Sequence, residues 1–258
     1  MYFQGRIILT FAAKCLLVAT FFLPKISVAA CPNPDKVFVI GVEAIAYSPH
    51  YNFVEREQPN FFGDFVEWLA KQTKCKFEVK ALPIKRLKSE YQQGKSIDFI
   101  YPDNPRWHSE SNNALSYYSD SIVLALGGTI VIKENAEMKI EQFKHLAFPR
   151  GFSPVAWYKF RENVTFTETF SALAALKMVL ANRVDGADVE YNVAQFLMAQ
   201  GNIDNLVMAK NLPFTPTKFY LSTYTETALL ALINQKMQQF PDEISQLKKQ
   251  AGLTEKVQ

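Results

Sequence analysis

The chain of 258 residues carries 28 Lys and Arg against 25 Asp and Glu, a formal charge of +3, and is 48% hydrophobic with 21 Phe and 11 Tyr. The surplus sits in the first thirty residues, where Arg6, Lys14 and Lys25 stand without an acid, so residues 31–258 balance at 25 bases and 25 acids. A balanced chain has no basic field to hold nucleic acid or an anionic membrane, which excludes both as principal partners, and its apolar content is ample for packed cores.

Residues 1–30 read as a secretory signal peptide: a basic start, the apolar run 15–23 (CLLVATFFL), a break at Pro24, and Ser27-Val28-Ala29-Ala30 as small residues for cleavage. Lys14 and Pro24 confine the apolar core to fewer than the roughly 20 residues that a spanning helix needs. Export leaves two cysteines, Cys31 and Cys75. Each precedes an apolar β-rich run, at 37–42 and 77–82, and if those are neighbouring parallel strands the two sulfurs meet at one edge. An oxidising compartment then favours a disulfide. The competing reading takes Val28-Ala29-Ala30-Cys31 as a lipoprotein cleavage box, with Cys31 acylated and Cys75 a free thiol.

From residue 31 strand and helix patterns alternate. The run 36–42 (KVFVIGV) is continuous and β-branched, as a strand buried on both faces requires. Segment 60–73 sets Phe61, Phe62, Phe65, Val66, Leu69 and Ala70 on one helical stripe. A second strand is expected at 75–83, a helix at 84–93 ending on Gly94, and a third strand at 97–102. That order is a parallel doubly wound unit. A hydrophobic crossing follows at 122–133, with Gly127-Gly128 as its flexible part. Beyond it come a strand at 146–149 and a helix opened by Gly151-Phe152-Ser153-Pro154, with Ser153 as N-cap and Pro154 at the first position. A helix at 170–182, strands at 184–190 and 205–210 flanking a helix at 193–200, a strand at 218–223 and a last helix at 226–239 complete the pattern. Two α/β units joined by crossing segments imply a cleft between them.

Several motifs stand in a telling order: Tyr47-Ser48-Pro49-His50-Tyr51-Asn52-Phe53, then Phe62-Gly63-Asp64, Leu82-Pro83-Ile84-Lys85-Arg86-Leu87, Gly94 before Ile97-Asp98, Tyr118-Ser119-Asp120, Pro149-Arg150-Gly151 and Asn182-Arg183-Val184-Asp185-Gly186-Ala187. In this order they make the chain resemble the type II periplasmic solute-binding proteins of family 3, the amino-acid-binding group. The resemblance covers nearly all of residues 31–258. It implies an α/β fold of two lobes, each a mixed, mostly parallel sheet flanked by helices, with the ligand cleft between them. Residues 31–125 and 221–258 would form lobe 1 and 126–220 lobe 2. It further implies a periplasmic monomer without cofactor that captures a small-molecule, amino-acid-like ligand for the membrane permease of an ABC transporter. Ser121 stands where the family motif has Pro, and the 101–118 loop departs from its pattern. The ligand range therefore extends to a small peptide, an amine or a non-nitrogenous carboxylate.

A zwitterion held between lobes needs a cation for its carboxylate, an anion for its ammonium and aromatic walls for its body. Arg106 follows the third strand at its C-terminal end, where open α/β sheets place ligands, and is the candidate cation, with Arg86 in reserve. The resemblance puts the anion five residues beyond Asp185, at Glu190, with Asp188 its neighbour on the same strand face. Tyr47, Tyr51 and Tyr118 are candidate walls, and Gly151, Phe152 and Ser153 a candidate anion site at a helix start. The alternative roles are a ligand-sensing input for a membrane receptor and a prephenate- or arogenate-dehydratase-like enzyme with Glu190 as acid. Against catalysis and metal binding, His50, His108 and His145 are scattered, and no HExxH, paired Cys/His spacing or GxSxG elbow occurs.

Overall fold

The computed structural model describes residues 30–55, 58, 60–94, 96–108 and 116–257. The expected signal peptide, Ala30 excepted, lies outside the described residues. In chain order the strands are β1 (Val37–Glu43), β2 (Ala46–Tyr47), β3 (Tyr51–Asn52), β4 (Lys76–Leu82), β5 (Phe99–Asp103), β6 (Tyr117–Tyr118), β7 (Val123–Ile132), β8 (His145–Pro149), β9 (Thr165–Thr169), β10 (Gly186–Glu190), β11 (Leu206–Met208) and β12 (Phe214–Thr223). The α-helices are α1 (Phe61–Thr73), α2 (Ile84–Gln92), α3 (Ala172–Leu180), α4 (Tyr191–Gly201), α5 (Thr227–Gln239) and α6 (Pro241–Gln250).

The stripe at 60–73 forms α1 as its spacing predicts. Asn60 Oδ1 accepts the Gly63 amide at 3.0 Å to cap its start, and Lys74 ends it in the left-handed region at φ 60°. Phe61, Phe62, Phe65 and Leu69 are wholly buried. Each such side chain contributes about 1.5–3 kcal/mol of hydrophobic stabilisation. Helix α1 packs on α5 and α6, where the Trp68 indole donates to Glu243 Oε2 at 2.6 Å.

β1 lies between β4 and β5, parallel to both, with Val37 opposite Lys76 and Ile40 opposite Phe99. This register brings Cys31 and Cys75 to the same edge, where they form a disulfide across a Cα–Cα distance of 5.2 Å. On the other side, β8 runs parallel to both β10 and β9, and β7 pairs antiparallel with β10 and β11. β12 joins the two sets: Phe214–Phe219 pairs antiparallel with β7, and from Tyr220 the strand pairs antiparallel with β5, with a register shift between Tyr220 and Ser222. The complete order is β4-β1-β5-β12-β7-β10-β8-β9, with β6 on β12 and β11 on β7. Two lobes thus share two antiparallel crossing strands, and one apolar cluster runs from Phe38 and Phe99 through Ile122 and Val123 to Ala187 and Val193.

Three expectations need correction. Gly127-Gly128 is a packing requirement rather than a loose crossing: a Cβ on Gly128 would lie 2.6 Å from Met208 Cε, and one on Gly127 would lie 3.0 Å from the Thr215 carbonyl oxygen. Segment 155–160 is a 3-10 turn instead of a capped α-helix, and Ser153 caps nothing. The reason is Trp157, wholly buried against Phe143 at 4.3 Å with its indole donating to Thr129 Oγ1 at 3.2 Å, which winds the chain tightly around one anchored ring. Finally, the helix placed at 170–182 begins later, at Ala172 with Ser171 as cap, because residues 165–169 form the edge strand β9.

Candidate functional site

One wall of the cleft follows β1. The chain turns through the β2–β3 hairpin, which pairs Tyr47 with Tyr51 and leaves Tyr47, His50 and Tyr51 buried. The Tyr47 ring lies 5.4 Å from the rings of both His50 and Tyr51, and Tyr51 meets Tyr101 edge-on at 6.2 Å. Helix α1 pins this loop: the Phe61 amide donates to the Pro49 carbonyl at 3.0 Å and the Phe62 amide to that of His50 at 2.9 Å. Two amides of the helix's first turn, which have no partner within the helix, are thereby satisfied by carbonyls of the aromatic loop, and the loop is tied to the helix start.

The opposite wall comes from the ends of β8 and β10. Gly151 turns the chain at φ +89°, a left-handed conformation that glycine adopts without steric cost. A Cβ there would lie 3.6 Å from Oε1 of Glu43, the last residue of β1, so the two walls touch at this point. The Phe152 ring stacks on Tyr47 at 5.3 Å and 23°. Gln200 Nε2 also reaches Gln58 Oε1 across the lobes, at 2.9 Å.

Glu190 ends β10 and caps α4. Its Oε1 accepts the Leu126 amide and Asn192 Nδ2, both at 2.9 Å, and its Oε2 accepts the Val193 amide at 2.9 Å. His50 Nε2 of the facing lobe lies 2.9 Å from the same Oε2, at ion-pair distance but without hydrogen-bond alignment. Burial by itself would raise this carboxyl, but the adjacent His50 and the Leu126 and Val193 amides outweigh it and hold the group below its ordinary value. Asp188, on the same face of β10, is in the reverse position. Burial alone acts on it and pushes its carboxyl up to about 7. Burial likewise raises Glu43, with Lys88 pulling it partly back. The Tyr47 phenol is pushed well up by burial and then by the charges of Glu190, Tyr51, Asp188 and Glu43 in turn.

The structure therefore brings Tyr47, Tyr51, Gly151, Phe152 and Glu190 to one place. Ser153 is exposed beside them, its carbonyl accepting the Val155 amide at 2.7 Å. Arg106 is exposed in a 3-10 turn, Pro105–Trp107, and its nearest link to the cleft is indirect: Trp107 meets Phe219 edge-on at 5.8 Å, and Phe219 lies 5.5 Å from His50. Arg86 is paired with Glu90 on the exposed face of α2. Tyr118 stands on β6 by Tyr220, with its phenol pushed up to about 12 by burial and by Asp103. Glu43 was not singled out in the sequence. Its signal was there, since it ends the first strand at the sheet edge where α/β proteins bind ligands.

Asp103 centres a second buried set. Its Oδ1 meets His108 Nε2 at 2.7 Å and the Asn104 amide at 2.8 Å, while Ser222 Oγ donates to Oδ2 at 2.5 Å and shares a 3.1 Å contact with the Tyr91 hydroxyl. Ser, His and Asp are all present, but the hydroxyl bonds the carboxylate and not the imidazole. No base is placed to activate it as a nucleophile, and the set instead fastens the 104–108 turn to β12. Among the described residues no group of three or more His, Cys, Asp or Glu side chains is placed to hold a metal ion.

Two lobes joined by paired crossing strands, with the cleft at the carboxyl ends of the parallel strands, define the type II periplasmic-binding-protein fold. No family model matches the chain, and no curated protein does. Solved structures of this fold superpose over most of it. A substrate-binding protein of an amino acid ABC transporter, AbpA from Streptococcus pneumoniae, bound to L-arginine, aligns with a TM-score of 0.64 at 13% identity over 83% of this chain and 93% of its own. A periplasmic domain of BvgS from Bordetella pertussis gives 0.65 at 16% identity over 83% and 92%. An arginine transport system periplasmic binding protein from Legionella pneumophila gives 0.63 at 13% identity over 83% and 99%. At these identities the likeness is one of fold.

Proposed function

We propose that the chain is an extracytoplasmic solute receptor of the family 3 type. It binds a small polar ligand by lobe closure, without turning it over, and delivers it to the permease of an ABC transporter. The observation that carries this reading is the pair of walls that meet across the cleft: Tyr47, His50 and Tyr51 from one lobe, Gly151, Phe152, Asp188 and Glu190 from the other. The boundaries expected from the sequence, 125/126 and 220/221, correspond to positions inside β7 and β12. Bending near 124–129 and 214–221 would swing one wall against the other while each lobe stays intact. The disulfide and the signal-like start agree with a site outside the cytoplasm.

A binding protein of this kind must gain stability from its ligand. Residues 31–258, purified under oxidising conditions, are melted against a panel of amino acids, amines and carboxylates. A true ligand at a hundredfold excess over its dissociation constant adds about 2.7 kcal/mol of stability and raises Tm. If no member of a broad panel moves Tm, the reading fails. The likeness to a BvgS domain favours a second reading, a sensory input to a membrane receptor. Deleting the gene separates the two: loss of ligand uptake supports transport, and loss of a ligand-dependent transcriptional response with uptake intact supports sensing.

A further inference from the structure

Resting on that binding reading, we propose that the cleft selects an organic cation without a carboxylate, an amine or guanidino compound, and that Asp188 of one lobe and Glu43 of the other receive its positive groups. Glu190, placed by sequence reasoning as the ligand's anion, already accepts from Leu126, Asn192 and Val193, and its one remaining acceptor direction, on Oε2, is faced by His50. Asp188 has no such partner: among the described residues nothing donates to its carboxylate, and burial is the only influence upon it. A half-buried carboxylate without a donor at the mouth of a cleft is costly to a fold that gains nothing from it. Glu43 stands on the facing wall, its Oε1 within 3.6 Å of where a Gly151 side chain would begin.

The surroundings agree. Glu190, Asp188 and Glu43 each act on the Tyr47 phenol, and its ring, with those of Tyr51 and Phe152, offers the faces on which ammonium and guanidinium groups rest. His50 is wholly buried against Tyr47, and its Nδ1 has no hydrogen-bond partner among the described residues, so a polar atom at the base of the cleft awaits one. Among the described residues the set lacks a cation suited to a carboxylate. His50 is committed to Glu190, Lys88 is exposed beside Glu43, and Arg106 lies on a separate exposed turn. An amino acid entering with its carboxylate would face three acids, whereas the amine made by removing that carboxylate would face only attraction.

The test compares matched pairs on the purified chain by calorimetry: agmatine with arginine, cadaverine with lysine, putrescine with ornithine. The expected result is at least tenfold tighter binding of one or more decarboxylated members than of the parent amino acid. Asp188→Asn, nearly equal in volume, should lower that affinity at least tenfold while the circular dichroism spectrum is kept. Equal or tighter binding of the amino acids, or of a neutral amino acid, overturns the proposal and leaves the receptor reading standing. Silence across the whole panel sinks both. The pairwise comparison is made on the unaltered protein, so it decides the matter even if the variant fails to fold.

Discussion

Asp188 and Glu190 lie two residues apart on one strand face and have opposite effects on stability. The Asp188 carboxyl, at about 7 in the folded protein against an ordinary 3.8, holds a proton between those pH values that the unfolded chain has lost. Folding stability therefore falls as pH rises from about 4 to about 7 and then levels. Asp188→Asn should remove that fall and stabilise the protein at pH 8 by about 1–3 kcal/mol, allowing for solvent screening of a partly exposed group, with little difference at pH 4. Denaturant titrations at the two pH values measure it, and a variant no more stable at pH 8 would mean that the carboxylate has a partner. Glu43, Glu190, Tyr47, Tyr51 and His50 face the same space. Of these, Glu190 opposes the trend, because a lowered carboxyl contributes stability above its unfolded value that is lost as pH falls through the folded one. Glu190→Ala leaves the Leu126 and Val193 amides without their acceptor, removes one of the two bonds of Asn192 Nδ2 and strips His50 of its facing carboxylate. It should cost about 3–5 kcal/mol, measured by denaturation without ligand, and this loss must be separated from any effect on binding.

At the scale of elements, the disulfide ties the edge strand β4 to the segment that leads into β1, closing a loop of 44 residues around α1. Cys75→Ser should lower stability by about 2–4 kcal/mol, and a reductant should do the same to the unaltered protein but not to the variant. Most of these elements were legible because their periodicity was strong: the α1 stripe, the continuous runs of β1 and β7, and the strand–helix alternation up to Asp103. The omissions share a cause. β9 (TFTET) alternates Thr with Phe166 and Glu168 over only five residues, too few to be told from the approach to a helix. The start of β12 was hidden by Pro216, which is tolerated where that strand meets β7. Helix α6 opens on a proline directly after α5 and has a single buried residue, Ile244, to mark its inner face. At the site, the aromatics were readable from the loop after β1. Which of two neighbouring acids is committed to the protein was not, because that depends on His50 and Leu126, distant in sequence and brought close only by the fold.

For the whole molecule the relevant quantity is the balance between open and closed lobes. Tyr47 on Phe152, His50 against Glu190 and Gln58 with Gln200 are contacts that the protein makes with itself across the cleft. They favour closure whether or not a ligand shares in it, and a ligand can move the balance only by its own preference for the closed form. A stacked aromatic pair contributes about 0.5–1.5 kcal/mol, so Phe152→Ala should shift the population towards open lobes by roughly two- to tenfold. Small-angle scattering or a pair of fluorophores across the cleft would record it, and an unchanged distribution would mean that the stack does not hold the lobes. Such self-contact sets a background. A permease or receptor that reads lobe closure would receive a faint signal at all times, and the ligand would raise its volume rather than switch it on. Trimming Phe152 should quiet that background and widen the contrast between silence and signal.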